Sequence, residues 1–511
     1  MLTSKFLYKL LFLAGIASLL GTAGCGGSGV VLPRQTGNYS NASFKGSYVY
    51  QIHGFLTDTN NDPYRETGVI IADGAGNITG GVDAFSSTAF TGAPIQSTAS
   101  VTGTYNIAGD GTGQILLSST PLAAAAGAPQ ISLAVTLAST SQAELMEGDV
   151  FASGAGTAEL QDPTAISAAP SGTFVFRLHQ EVETPTLAPA SEVGFFTFSG
   201  GSLSAGSMDQ NVLSVGLSSL NLTSGTLSTP TTLGDGTGSF TDSSGATTDF
   251  LYYIVNSEKF ILLASNSNAL GSGSAEAQTG AVGNGLAGSY AFGGRGDDFS
   301  FFAGVATVGQ FVGSGATMSS GTLDSLQDGT NYSQAIGFTG TPTTSTNNPS
   351  PQGRVQVTLS TGTPVIFWMV NPSRAFFLDD TSNTAAEDGT ADLQTATSFS
   401  AANLKGQFAI VMDGTDVTPE GLARIGTLQF DGSSRLTLVE LVNSSQSGSG
   451  ATSPGALAGT YQAGGNGRVT GSVSNGGGAL DLVMYAVSGS KAYALQTDSG
   501  ANTSGTVQLQ Q

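Results

Sequence analysis

One six-residue phrase occurs four times in this chain at a domain-sized spacing. Gly-Thr-Ala-Glu-Leu-Gln at 156–161 returns in related form at 273–278, 389–394 and 505–510. Successive copies begin 117, 116 and 116 residues apart. Such a regular period indicates four tandem copies of one module. We expect the phrase to be the last strand of each module, where it pairs with the first, because a one-residue slip there would reverse the faces of the strand.

Each module also opens with a repeated glycine-containing phrase in which large apolar residues alternate. This period of two is typical of a half-buried strand. Asp-Gly turns and short apolar hairpins bring the count to about eight antiparallel strands per module. The sequence therefore predicts an all-β protein of four homologous modules, each a meander that closes into a barrel or a curled sandwich. The predicted modules span 44–161, 171–278, 287–394 and 405–511, joined by short linkers that make a string with restricted relative motion.

The opening glycine followed by a buried aromatic residue resembles the start of lipocalin-type up-and-down barrels. That resemblance implies carriage of a small apolar ligand inside the modules. The aromatic residues that would line such cavities are Tyr48, Tyr50, Phe174, Phe176, Tyr290 and Phe292. The same residues would instead fill solid cores if the modules are packed, since eight-stranded barrels occur in both forms.

The N-terminus has the pattern of a processing signal. Two lysines and an apolar stretch precede Thr22-Ala23-Gly24-Cys25, which resembles a lipobox except that Thr22 stands where leucine is usual. The resemblance implies that residues 1–24 are removed as a signal peptide and that Cys25 is lipidated. Gly26, in place of aspartate, favours the outer membrane over the inner one. We expect 25–43 to be the lipidated cysteine and a flexible tether.

Composition excludes some functions. The chain has 15 Lys and Arg against 36 Asp and Glu, so a formal charge of −21 argues against nucleic acid as a partner. Its single cysteine permits no intrachain disulfide. No serine-hydrolase elbow, phosphate loop or cofactor motif stands out from the Gly- and Ser-rich background, so we expect no catalytic residue and no cofactor.

The two histidines occupy equivalent positions in modules 1 and 2. His53 and His179 each lie seven residues after the opening glycine, where Arg295 and Asp413 stand in modules 3 and 4. A metal site would need partner ligands in the same place, and the sequence indicates none. We expect a solvent-facing polar column on the face opposite the aromatic residues.

A second recurrent position is acidic. Asp83, Asp209 and Asp324 each lie three residues after a glycine, and Glu440 stands at the equivalent position of module 4. Structural use at turns or across strands is the favoured interpretation, with metal binding and catalysis as alternatives. Glycoside-type chemistry would need a second carboxylate a few ångströms away, and no second acidic position recurs.

One loop has a weak resemblance to a calcium site. Asp58, Asn60 and Asp62 place oxygen ligands at alternate positions. Pro63 stands where calcium loops have glycine, and Val69 where they have the bidentate glutamate. A polar hairpin loop is the favoured interpretation, and we expect no metal.

Taken together, these features predict a lipid-anchored extracytoplasmic repeat protein with a non-enzymatic binding or structural role at the cell envelope. Its partners would be the membrane, through the lipid, and a protein, a glycan or a small apolar ligand. The alternative is a carrier of small apolar ligands inside lipocalin-like barrels. A more distant alternative is a secreted polysaccharide hydrolase.

Overall fold

A computed structural model of the chain describes residues 32, 37–58, 61–87, 95–183, 187–213, 215–267, 269–298, 304–327, 329–343, 348–379, 385–418, 420–446, 448–476 and 478–511. Within these ranges, none of the helices has the length and apolar character needed to span a bilayer. The predictions for the signal peptide and Cys25 lie outside the described residues.

The first module is built from nine strands, which are β1 (Lys45–Leu56), β2 (Pro63–Asp73), β3 (Asn77–Ser87), β4 (Ile95–Ser100), β5 (Thr102–Ile107), β6 (Thr112–Ser118), β7 (Gln130–Leu137), β8 (Gln142–Glu147) and β9 (Ala152–Leu160). A short helix, α1 (Pro121–Ala125), precedes β7. Both β4 and β5 pair with β3 and so share one strand position. Pairing of β2 with β3 closes the sheet into a ring of eight strand positions, here called barrel 1.

The other three modules are closed eight-stranded barrels. Barrel 2 contains β10 (Gly172–Glu183), β11 (Leu187–Ser199), β12 (Ser202–Val212), β13 (Gly216–Leu227), β14 (Asp235–Asp242), β15 (Thr247–Asn256), β16 (Lys259–Ala264) and β17 (Ala269–Ala277). Barrel 3 contains β18 (Leu286–Asp298), β19 (Val305–Gly315), β20 (Thr317–Gln327), β21 (Asn331–Pro342), β22 (Arg354–Leu359), β23 (Pro364–Asn371), β24 (Arg374–Asp379) and β25 (Ala385–Leu393). Barrel 4 contains β26 (Lys405–Asp416), β27 (Gly421–Asp431), β28 (Arg435–Ser444), β29 (Ala456–Ala463), β30 (Arg468–Ser474), β31 (Ala479–Ala486), β32 (Lys491–Gln496) and β33 (Ala501–Leu509). The all-β prediction of four tandem modules is confirmed, and the modules close as barrels.

The repeated phrase closes every barrel in the same register. It lies in β9, β17, β25 and β33, which pair antiparallel with β1, β10, β18 and β26. The second inward residue of each opening strand faces the phrase's third residue in all four pairs, which are Tyr50 with Ala158, Phe176 with Ala275, Phe292 with Ala391 and Ile410 with Val507. The closing role predicted from the spacing is therefore confirmed.

The four barrels form a closed ring. Outward apolar residues of the early strands of one barrel pack on β15 and β16, β23 and β24, or β31 and β32 of the next. The ring closes where Val411, Ala423 and Ile425 of barrel 4 meet Ala134, Met146 and Ala155 of barrel 1, a contact we call the closing seam. The sequence predicted a string of modules with restricted relative motion. The contacts between successive barrels are all head-to-tail, and such contacts close into a ring when their rotations complete a circle.

The glutamine that ends each copy of the phrase forms a hydrogen bond to the next barrel. Its side-chain amide donates to a backbone carbonyl of the following barrel in four equivalent bonds, which are Gln161 to Ile254 at 2.7 Å, Gln278 to Met369 at 2.8 Å, Gln394 to Ala486 at 2.7 Å and Gln510 to Leu137 at 2.7 Å. The fourth bond returns from barrel 4 to barrel 1. The phrase therefore marks both the end of a module and its junction with the next.

Part of the predicted tether packs between the C-terminus of the chain and barrel 1. The Tyr39 hydroxyl donates to the backbone carbonyl of Gln511 at 2.7 Å, and the Asn41 side chain accepts from the Ile107 amide at 2.7 Å. Residues 41–43 form a single 3₁₀ turn. Tyr39 and Asn41, near the end of the predicted tether, therefore bind the C-terminal residue of the chain and strand β5 of barrel 1.

Candidate functional site

A cavity of about 280 Å³ lies at the centre of the ring, and we call it the central cavity. First and last strands of all four barrels line it. It receives both histidines of the chain together with Arg65, Arg177 and Arg295. In a chain with only 15 Lys and Arg, this convergence makes the central cavity the first candidate for a functional site.

One side of the central cavity joins barrels 1, 3 and 4. His53 Nε2 lies 2.9 Å from Oδ2 of Asp413 and 3.0 Å from Nη1 of Arg295. Arg295 also pairs directly with Asp413. Burial lowers the pKa of His53 and outweighs the opposing effect of Asp413. Burial acts to raise the pKa of Asp413, but Arg295 and His53 bring it down to about 2.

The other side joins barrels 2 and 3. His179 Nδ1 lies 2.8 Å from Oδ2 of Asp388, and its Nε2 lies 3.0 Å from Oδ2 of Asp297. Asp388 is held in turn by Arg177 at 3.0 Å and by the Ser191 hydroxyl at 2.9 Å. Burial acts to lower the pKa of His179, but the hydrogen bonds to Asp297 and Asp388 raise it to about 9. The imidazole is therefore protonated at neutral pH when nothing else occupies the site.

A further buried carboxylate adjoins His179. Glu181 is two residues along β10 and accepts from Arg65 of barrel 1 at 2.9 Å through Oε1. Its Oε2 atom has no hydrogen-bond partner among the described residues. One ligand atom from each of His179, Glu181 and Asp297 lies within 4.8 Å of the others.

The polar column was predicted to face solvent outside the protein, and this part of the prediction is wrong. The column does face away from the aromatic residues, as alternation required, but closure of the ring turns that outer face toward the central cavity. Asp297 and Asp388 were not foreseen as partners of His179, because they lie 118 and 209 residues away in another module. The only signal in the sequence was opposite charge, Arg295 and Asp413, at equivalent positions.

The four acidic residues were predicted to share one position in the module. In the structure they occupy two neighbouring positions, whose side chains point to opposite faces of the sheet. Asp83 and Glu440 stand opposite Gly68 and Gly426 of the preceding strand and face the barrel interiors. Asp209 and Asp324 are displaced by one residue relative to them, and they stand opposite Val193 and Val308, which face the next barrel. Because side chains alternate along a strand, this single step moves the carboxylate from inside to outside.

The two outward carboxylates bind the next barrel. Asp209 accepts from Arg354 Nε and Nη2, both at 2.7 Å, and from Trp368 Nε1 at 2.8 Å. Asp324 accepts from Arg468 through the same two nitrogens at 2.7 Å and from the Tyr485 hydroxyl at 2.7 Å. These paired contacts occupy the same place between barrels 2 and 3 and between barrels 3 and 4.

The two inward carboxylates lie within barrels 1 and 4. Asp83 accepts from the Tyr50 hydroxyl at 2.8 Å, and burial raises its pKa to about 6. Burial also raises the pKa of neighbouring Glu66 well above its ordinary value. Glu440 pairs with Arg424 at 3.0 Å, while burial raises its pKa.

The weak calcium candidates are only partly described. Asp58 Oδ1 accepts from the backbone amide of Asp62 at 3.2 Å, as in a turn closed by an aspartate side chain. Asn60 lies outside the described residues. These contacts fit a polar hairpin loop.

Barrel 3 has an internal cavity of about 280 Å³, here called the barrel 3 cavity. Its walls include Phe292 and four further phenylalanines, which are Phe311, Phe338, Phe367 and Phe377. Polar groups, Thr307, Asp379 and Glu387 among them, stand together at one end. Burial raises the pKa of Glu387 well above its ordinary value, and neighbouring Asp379 adds to the effect. The resulting site combines an apolar body with a buried carboxyl group whose pKa lies well above its ordinary value.

Two exchanges distinguish barrel 3 from the others. Gly294 stands where the equivalent strands have Ile52, Leu178 and Met412. Glu387 stands where the closing strands of barrels 1 and 2 have glycine, Gly154 and Gly271. A Cβ atom on Gly294 would lie 2.5 Å from Oε1 of Glu387, so the carboxyl group uses space that a larger side chain fills elsewhere. That oxygen has no hydrogen-bond partner within the described part of the chain.

The remaining inward aromatic residues fill cores. Phe174 and Phe176 pack against other rings of barrel 2 at centroid distances of 5.0–6.3 Å. Tyr48 and Tyr50 are 1% exposed inside barrel 1, and Tyr290 is fully buried in barrel 3. Of the six residues proposed as cavity lining, Phe292 borders the barrel 3 cavity.

No protein-family model and no curated sequence matches this chain. Solved structures of transferrin binding protein B resemble it slightly. A variant from Haemophilus parasuis is 9% identical over 72% of this chain and 83% of its own, with a TM-score of 0.20, and the protein from Neisseria meningitidis is 8% identical over 73% and 84%, with a TM-score of 0.19. Kievitone hydratase from Nectria haematococca is 10% identical over 71% and 93%, with a TM-score of 0.16. Likenesses this slight carry no argument about function.

Proposed function

We propose that this protein is a lipid-anchored, non-enzymatic binding protein of the cell envelope whose third barrel carries a small apolar ligand. The barrel 3 cavity is the observation that carries the proposal. Its volume of about 280 Å³ approaches the range of small-molecule pockets, and its walls are largely aromatic and aliphatic. The proposal places ligand binding in this barrel alone, whereas the sequence allowed it in all four barrels.

The polar end of the barrel 3 cavity selects the ligand class. Glu387 Oε1 is buried without a hydrogen-bond partner among the described residues, which is costly unless a ligand supplies one. A ligand with an apolar body and one terminal hydroxyl or amino group satisfies this oxygen. Thr307 holds the other carboxyl oxygen, Oε2, at 3.3 Å and so orients the group.

Substituting two residues of barrel 3 by their barrel 2 equivalents should fill the barrel 3 cavity. The double variant Gly294→Leu/Glu387→Gly reproduces the pair Leu178 and Gly271, which fills the equivalent space there. Titrated with the neutral fluorescent probe N-phenyl-1-naphthylamine, the unmodified protein is expected to bind about one probe per chain, and the double variant at least tenfold more weakly. Leu178→Met is the matched control, because a volume-conserving change in a filled barrel should leave probe binding unaltered.

Two results would overturn carriage by barrel 3. One is equal probe affinity in the double variant and the Leu178→Met control. The other is a native mass spectrum of protein from its own cells with no bound small molecule, together with no probe binding. Turnover of aryl glycosides that disappears in Glu387→Gln would instead favour the hydrolase, since Asp379 and Glu387 meet at the same end of the cavity.

The anchor is a separate part of the proposal and depends on the sequence around Cys25. The unmodified chain should incorporate labelled palmitate and fractionate with membranes, whereas Cys25→Ala should do neither, because the thiol is the acceptor of the diacyl group. Gly26→Asp is the matched variant, which should keep the label but move to the inner membrane. A Cys25→Ala protein that still sediments with membranes would contradict the anchor without affecting the barrel 3 proposal.

A further inference from the structure

We infer that the centre of the ring is a metal site at which His179, Glu181 and Asp297 bind one divalent transition-metal ion such as Zn²⁺. This site borders the central cavity through His179 and is independent of ligand carriage in barrel 3. One nitrogen and two carboxylate oxygens form a donor set that suits Zn²⁺ and its neighbours in the first transition row.

The strands bring the three ligands together from two barrels. His179 and Glu181 are two residues apart on β10 and share one face, while Asp297 comes from β18. Their nearest ligand atoms lie within 4.8 Å of one another, and His179 Nε2 is 3.0 Å from Asp297 Oδ2. Ligands at about 2.0–2.2 Å from an ion lie roughly 3–4 Å apart, so small side-chain movements complete the site.

A carboxylate fixes the orientation of the His179 ring, as is common for histidines that bind metal ions. Asp388 lies 2.8 Å from Nδ1 and is itself fixed by Ser191 and Arg177. A carboxylate on one ring nitrogen sets the tautomer that leaves the other nitrogen for a metal ion. Nε2 then faces Asp297 Oδ2 at 3.0 Å.

Glu181 supplies the second, independent observation. The residue is 4% exposed, and Arg65 occupies only its Oε1 atom. Oε2 has no hydrogen-bond partner among the described residues, although a buried carboxylate oxygen is expensive to leave unpaired. A metal ion beside His179 and Asp297 provides the missing partner.

The charges around the site accommodate a cation. Four carboxylates, Glu181, Asp297, Asp388 and Asp413, stand beside three guanidinium groups, Arg65, Arg177 and Arg295. Counted with the protonated imidazole, this group has no net charge. Counted with the neutral imidazole that a metal ion needs, it carries one excess negative charge, which a divalent ion reverses to one positive charge. Three protein ligands also leave a coordination position open, and His179 borders the central cavity from which water or a small ligand can approach.

The test uses the full chain freed of metal by chelation. Zn²⁺ titrated by calorimetry is expected to bind at about one ion per chain, and Co²⁺ is expected to give visible absorption bands that Zn²⁺ abolishes. His179→Gln should weaken Zn²⁺ binding at least 100-fold. His53→Gln, which changes the other histidine of the same cavity, should leave the affinity within about twofold, since His53 contacts Asp413 and Arg295 and is not one of the three ligands.

Two further variants separate metal binding from structure. Asp388→Asn should weaken Zn²⁺ about 10–100-fold by misorienting the imidazole. Glu181→Gln, read by its Co²⁺ spectrum and by the shift in melting temperature that Zn²⁺ produces, keeps the inference testable if His179→Gln does not fold. The inference is overturned if the unmodified chain binds no Zn²⁺ stoichiometrically, or if His179→Gln and His53→Gln bind it equally.

Discussion

Replacing Asp324 by alanine is expected to lower the free energy of unfolding by about 3–5 kcal/mol. The Asp324 side chain is fully buried, and the Arg468 side chain is 17% exposed. The Tyr332 and Tyr485 hydroxyls also donate to the carboxylate, at 2.6 and 2.7 Å. Its removal therefore leaves a guanidinium and two hydroxyls unpaired between barrels 3 and 4. Urea denaturation at neutral pH measures the loss.

Two controls distinguish this effect from a general loss of charge. Glu159→Ala breaks the more exposed pair with Lys259, whose side chains are 24% and 23% exposed, and should cost about 1 kcal/mol or less. The double variant Asp324→Leu/Arg468→Met should recover much of the stability, because no buried charge remains unpaired. If Asp324→Ala costs no more than Glu159→Ala, the buried pair does not stabilise this junction.

The cost of Asp324→Ala should also depend on pH. Burial acts to raise the pKa of Asp324, but Arg468 and the two tyrosine hydroxyls bring it below its ordinary value. The stabilisation is therefore present above the unfolded-state pKa of about 4 and is lost as the pH falls through the folded-state pKa. The stabilities of the unmodified protein and the variant should therefore become equal in acid. Melting temperatures measured over a series of pH values test this.

Placing an aspartate at position 425 is expected to open the ring. Ile425 is 2% exposed in the closing seam, so Ile425→Asp buries an unpaired charge at a cost of roughly 3–5 kcal/mol. No linker joins barrels 4 and 1 across this seam, whereas every other junction is also covalent. Small-angle X-ray scattering should therefore show a larger radius of gyration.

Ile261→Asp is the matched control for the open ring. Ile261 is also 2% exposed, in the apolar contact between barrels 1 and 2. The energetic cost should be similar, but the linker at 162–170 keeps these barrels adjacent and the expansion should be smaller. An unchanged radius in Ile425→Asp would show that the Gln510 bond and the Tyr39 contact suffice to hold the ring closed.

Sequence periodicity predicted the strands and the closing pairs well because both depend on local alternation and on constant spacing. The face of His53 and His179 was also predicted correctly. Their surroundings were not, since Asp413 and Asp297 reach them from other modules and nothing local encodes that approach. The hollow interior of barrel 3 depends on Gly294 and Glu387, two exchanges that are visible in the repeats only once the register between opening and closing strands is known.

By itself, the sequence determined the all-β class, the four-fold repetition and the phrase that closes each barrel. These follow from a period of two along each strand and from steps of 117, 116 and 116 residues between copies. Only the tertiary structure decided that the string closes into a ring, that the histidine column lies inside it and that Asp83 and Asp209 face opposite ways. The reason is physical: which surface becomes an interior depends on contacts between residues more than a hundred positions apart, and on a one-residue register that composition does not reveal.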